Sequence, residues 1–117
     1  MKKNLASFNG SPIEPEKDLA EDRWALFFSQ TAKISWVELA PLFARGQVVR
    51  IADSLDLVAA AVAVAEDDKT QVARWMSCHQ FGLLDVATAR QWSEDTPSLW
   101  AVVVNPWVLV QERTGDS

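Results

Sequence analysis

The sequence predicts an α+β domain, with three to five helices packed on a small, mainly antiparallel β-sheet. Three observations carry this expectation. Apolar side chains recur at three- and four-residue spacing over residues 19–28 and again over 58–79, the period of a helix with one buried face. Short β-branched runs stand apart from these, at 47–51 and within 99–110. The chain has 117 residues, 49% of them hydrophobic and 23% charged, enough for one globular domain with its own core.

Residues 1–14 are rich in Ser, Asn, Gly and Pro and read as a disordered tail, leaving 15–114 as a single α+β domain. Pro15 suits the first turn of a helix, where its missing N–H would have no partner anyway. Leu19, Arg23, Trp24, Phe27 and Phe28 then keep helical spacing, with Glu16, Asp18, Glu21 and Asp22 complementing the positive end of the helix dipole. This helix is expected to end near Lys33. Ser35 and Glu38 have the spacing of a capping box, in which the hydroxyl accepts from the Glu38 N–H and the carboxylate reaches back. The helix they open carries Val37, Leu39, Leu42 and Phe43, with a kink expected at Pro41 and a stop at Gly46. Residues 47–51 follow as a strand.

Asp53 or Ser54 is expected to cap the next helix, through "LDLVAAAVAVA". One helix running over 55–78 would place Asp68 on the same stripe as Ala65 and Val72, a costly position for a carboxylate without a partner. Two helices avoid this. Glu66, Asp67 and Asp68 oppose the dipole at the end of a first helix but favour the start of a second, and Asp68 with Gln71 has N-cap spacing. The two-helix reading is preferred. "FGLLDVA" reads as a turn and a short extended piece, with 88–94 a brief helix. "LWAVVVNPWVLVQE" is apolar on both alternating faces, so it should be covered on both, by helices or by a second subunit. Asn105–Pro106 interrupts it. Two strands with a wider connection, or one long bent strand, are both compatible with that interruption, whereas a two-residue primed turn is disfavoured.

Composition also excludes functions. The net charge is −5, and residues 35–117 hold eleven acidic against six basic side chains, so a phosphate backbone would be repelled and no nucleic-acid partner is expected. No apolar run reaches the roughly 18 residues of a spanning helix, so no membrane partner is expected either. A single cysteine, Cys78, forbids an internal disulfide, and the N-terminus lacks the apolar stretch of a signal peptide, which points to the cytoplasm. One histidine, His79, cannot build a His-rich zinc set, and beside Cys78 on a helix it would point about 100° away from the thiol. Phosphate-cradling glycine loops and a GxSxG elbow are absent. No catalytic residue and no cofactor are expected.

"TAKISWVELAPLFARG", "LDLVAAAVAVAEDDKTQVARWM" and "LWAVVVNPWVLVQE" together resemble a bacterial family of small proteins catalogued only as a domain of unknown function. The resemblance covers about residues 30–113, with Pro41 a minor departure. It implies a prokaryotic, cytoplasmic setting and transfers no activity.

The expected function is a non-enzymatic protein-binding or accessory module that self-associates through a tryptophan-bearing surface. Candidate contact residues are Glu66, Asp67, Asp68, Asn105 and Trp107. The alternative is a small enzyme or divalent-metal-binding protein that uses the Glu66, Asp67 and Asp68 carboxylates, since hard cations take oxygen ligands.

Overall fold

In the computed structural model, which describes residues 14–113, helix α1 covers Glu14–Gln30, and each later helix starts on a side-chain cap. Strand β1 (Ala32–Ile34) leads to Ser35, which opens α2 (Trp36–Ala44) with both bonds of the capping box, each 3.3 Å. Pro41 lies within α2, on its exposed side. After β2 (Val48–Ile51), Asp56 caps α3 (Leu57–Ala65) by accepting the Val58 and Ala59 amides at 2.8 and 3.1 Å. Asp68 caps α4 (Lys69–Ser77), which is followed by β3 (Phe81–Leu83). Asp85 caps α5 (Val86–Asp95), and β4 (Leu99–Val104) and β5 (Trp107–Glu112) close the order.

The strands form one sheet in the order β1-β4-β5-β2-β3. Every neighbouring pair is antiparallel except β2 with β5, which run parallel with Val49 opposite Leu109. The α+β expectation holds, and the sheet is mostly antiparallel.

Alternation along the strands divides the core into two layers. On one face Val49, Ile51, Val102, Val104 and Leu109 pack against Phe27 of α1, Leu57 and Ala61 of α3, and Trp75 of α4. On the other, Val48, Leu99, Val108 and Val110 pack against Leu39 of α2 and Trp92 of α5. The double-sided apolar pattern of 99–110 is therefore satisfied by helices on both faces. At roughly 1.5–3 kcal/mol for each fully buried large apolar side chain, these layers hold strands too short to persist alone. Ala60 and Ala61 are wholly buried, and their small side chains let α3 lie close to the sheet.

Several sequence expectations need correction. The first helix stops at Gln30, and Lys33 belongs to β1, paired with Trp100. A three-residue strand has no periodicity of its own, and only β4 alongside makes it one. For the same reason the sheet has five strands among the described residues, rather than the three segments read from composition. Asp56, not Asp53 or Ser54, caps α3, because the capping oxygen must lie within reach of the second and third amides. The α5 helix begins at Val86, two residues before the expected start. Asn105 and Pro106 alone link β4 to β5, with Val104 opposite Trp107. The link is therefore a two-residue hairpin turn, neither the expected wider connection nor the single bent strand, because the pairing of β4 with β5 brings the two strand ends together. The expected tail falls outside the described residues, apart from Glu14.

Candidate functional site

The run Glu66-Asp67-Asp68 is a tight junction between α3 and α4. Glu66 is the C-cap of α3. Asp67 takes the left-handed conformation, φ 58°, and its N–H donates to the Val64 carbonyl at 3.1 Å. The Asp68 N–H donates to the Ala63 carbonyl at 2.9 Å, completing a Schellman pair. Asp68 then turns to α4, where its Oδ1 accepts the Gln71 N–H at 3.2 Å. The two-helix reading is thus the observed one. Two other helix ends repeat the same device, with Gly46 and His79 in the left-handed position after α2 and α4. Cys78 is the C-cap before His79, so their adjacency is a helix end.

The three carboxylates go separate ways. Glu66 Oε2 lies 3.6 Å from Arg23 Nη1 and ties α3 to α1. Asp67 Oδ2 lies 3.8 Å from Lys69 Nζ, both well exposed, where such a pair is worth only about 0–1 kcal/mol. Asp68 serves the helix start. Among the described residues, no three His, Cys, Asp or Glu side chains gather closely enough to hold a metal ion.

Asp67 and Asp68 do meet Trp107. All three line a cavity of about 410 Å³ between α4 and one corner of the sheet, with Val72, Met76 and Leu83. Its lining is mostly apolar, yet Met76 is 52% exposed, Leu83 64% and Trp107 36%. Glu66 and Asn105 do not line it; Asn105 stays exposed in the β4–β5 link. Sequence reasoning missed Leu83, which belongs to a strand without a pattern of its own. Met76 was legible only as one member of the apolar helical stripe, and in α4 its neighbour Trp75 takes the buried position while Met76 is exposed.

This groove opens towards an edge of the sheet. The bonds Ala52 N–H to Gln80 O at 2.9 Å and Leu84 N–H to Val48 O at 3.0 Å flank the paired residues Arg50 and Gly82. By antiparallel alternation, Phe81 and Leu83 direct their own N–H and C=O groups away from β2. Among the described residues no strand takes them up.

A second cavity, about 500 Å³, lies at the opposite end of the strands, beside the start of α3. Trp24, Phe28, Trp100, Gln111 and Arg113 line it, together with Asp53. None of these was a sequence-predicted site residue.

Comparison with known proteins agrees with this architecture. Among solved structures, the chain is similar to the NMR solution structure of PA1075 from Pseudomonas aeruginosa, at 39% identity and a TM-score of 0.71. The match covers 92% of this chain and 97% of that one. No curated protein matches. The model of a family described as "Protein of unknown function (DUF2288)" matches residues 25–112, which include both cavities' sheet residues and the α3–α4 junction. The chain belongs to that family.

Proposed function

We propose that the protein is a non-enzymatic protein-binding module that self-associates, with the groove around Trp107 as its contact face. The observation that carries this reading is the cluster of Met76, Leu83 and Trp107, three large apolar side chains left exposed around one groove. Exposed apolar surface gathered in one place marks interaction sites, whereas scattered single residues do not. The groove reaches the open edge of β3. A second copy approaching about a twofold axis would set β3 against β3 antiparallel, using the same patch on both chains. A cytoplasmic setting suits this reading, because Cys78 is an exposed free thiol, a form that a reducing compartment preserves.

The metal-dependent alternative has less support, since Glu66, Asp67 and Asp68 each have a different structural partner. Thermal melts with Mg²⁺, Ca²⁺ or Mn²⁺ test it directly; a rise in melting temperature abolished by Asp67→Ala/Asp68→Ala would restore it.

Sedimentation equilibrium tests the main reading. The wild type is expected at a multiple of 13.0 kDa, and Leu83→Lys at the monomer mass with an unchanged circular dichroism spectrum. A wild type that stays monomeric at millimolar concentration removes self-association.

A further inference from the structure

Gln111 is the one buried polar side chain among the described residues, 4% exposed, and its bonds leave it a single orientation. Its Nε2 donates to the carbonyls of Ala52 at 2.8 Å and Leu55 at 2.6 Å, which tie the end of β5 to the loop before α3. With both amide hydrogens so engaged, Oε1 must face the other way, and there it accepts the Nε–H of Arg113 at 3.0 Å. The guanidinium is thereby held over the Trp100 ring, 5.0 Å from the ring centroid. Lys33, directly across from Trp100 in the sheet, lies 5.8 Å from the same ring.

Two cations thus stand at one indole, and among the described residues neither has a carboxylate within ion-pair distance. The indole N–H of Trp100 is itself buried without an acceptor among them. Neither cation is ion-paired among the described residues, although Asp53 and Asp56 line the same cavity. An arginine whose Nε is already bonded still offers its two terminal nitrogens, the fork that grips a carboxylate with two parallel bonds. Trp24 and Phe28 of α1 line the same cavity, together with Thr31, Ser54, Leu55 and Val58. Asp56, which also lines the cavity, has its Oδ1 engaged by the first amides of α3, and Asp53 is exposed to screening by water. The cavity lies beyond the carboxyl ends of the parallel pair β2 and β5. At about 500 Å³ it has the size of a small-molecule site.

From these features we infer a binding site for a small organic carboxylate with a flat apolar body. Arg113 grips the carboxylate, Gln111 positions Arg113, and Trp24, Phe28 and Trp100 cover the apolar part. The site is separate from the Trp107 groove and does not depend on self-association.

The test uses the full chain and three probes: phenylacetate, its neutral counterpart phenylacetamide, and acetate. Amide and side-chain N–H resonances are followed by two-dimensional NMR up to roughly ten millimolar probe, which detects binding as weak as a millimolar dissociation constant. Phenylacetate is expected to give saturable shifts that include the Arg113 Nε–H and the Trp100 indole N–H. Phenylacetamide and acetate should each bind at least about tenfold more weakly, the loss of one charge-assisted contact or of the apolar body. Arg113→Gln should weaken phenylacetate by about the same factor and leave phenylacetamide unchanged, while Arg113→Lys falls between. Phe28→Ala, a change at an exposed side chain that the fold does not need, should weaken acid and amide alike. Three results would overturn the inference: no saturable shift with phenylacetate, equal binding of acid and amide, or full binding by a folded Arg113→Gln protein.

Discussion

Asp67 holds φ at 58° with a Cβ, where glycine would sit without strain. Left-handed backbone costs an ordinary residue roughly 1–2 kcal/mol and aspartate somewhat less. Asp67→Gly is therefore expected to raise stability by about 0.5–1 kcal/mol, and Asp67→Val to lower it by at least about 1 kcal/mol. Urea unfolding midpoints check both. A metal or catalytic role for the carboxylate would show as lost function in the glycine variant, whereas a junction role leaves function intact. Asp85 makes the second residue-scale prediction. Its carboxylate accepts the Thr88 N–H at 2.7 Å, and that bond, then the Thr88 hydroxyl, holds its pKa below the ordinary aspartate value; Arg50 helps less, and desolvation opposes. A folded pKa below the unfolded one means the cap's contribution is complete above the unfolded value and lost as pH falls through the folded value. Stability of the wild type should thus drop more steeply than that of Asp85→Asn between neutral pH and about pH 3. Parallel urea midpoints for the two proteins over that window would refute this.

At the scale of elements, the helix ends are overdetermined and the strand ends are not. Asp68 closes α3 through its backbone N–H and opens α4 through its side chain, so one residue joins two helices. Asp68→Ala removes only the side-chain part, about 1 kcal/mol. Asp56→Ala should cost more, up to about 2 kcal/mol, because its Oδ1 accepts two amides at shorter distances. Equal losses in denaturant unfolding would contradict this ranking. Asp68 with Gln71, and Ser35 with Glu38, were legible in the sequence because a cap is a contact three residues away. The strands β1 and β3 were not, since Ala32–Ile34 and Phe81–Leu83 owe their extended form to partners distant along the chain. The β4–β5 link illustrates the same limit: Asn105–Pro106 announces an interruption, but the pairing of Val104 with Trp107 makes it a hairpin.

At the scale of the whole molecule, one sheet serves two cores, so the layers should unfold together. Trp75 belongs to the layer under α4 and Trp92 to the layer under α5. Trp92 also donates its indole N–H to Glu112 at 3.1 Å, anchoring α5 to the end of β5. Trp75→Ala and Trp92→Ala should each lower stability by about 3–5 kcal/mol while keeping a single transition. Coincident unfolding curves from far-ultraviolet circular dichroism and tryptophan fluorescence test this; separated curves would mean that the layers are independent. The candidate surfaces arise at this scale too. Asp67, Asp68 and Trp107 were each legible as candidates, but their common groove was not, because nearly forty residues separate them. Gln111 and Arg113 gave no signal at all: in "WVLVQER" they read as the polar end of a strand.

What the sequence by itself determined is whatever acts within one turn of a helix: the caps at Ser35 and Asp68, the break after Glu66, and the apolar faces of the helices. It also determined that 99–110 must be covered on both faces, since no strand can leave two apolar faces in water. Only the tertiary structure decided the strand order, the conversion of Ala32–Ile34 and Phe81–Leu83 into outer strands, and the exposure of Met76, Leu83 and Trp107 around one groove. It also brought Gln111, Arg113 and Trp100 together. The physical reason is range. Capping bonds and helical periodicity are settled by neighbours in the chain, whereas strand pairing and cavity walls depend on which distant segments the two apolar layers bring together.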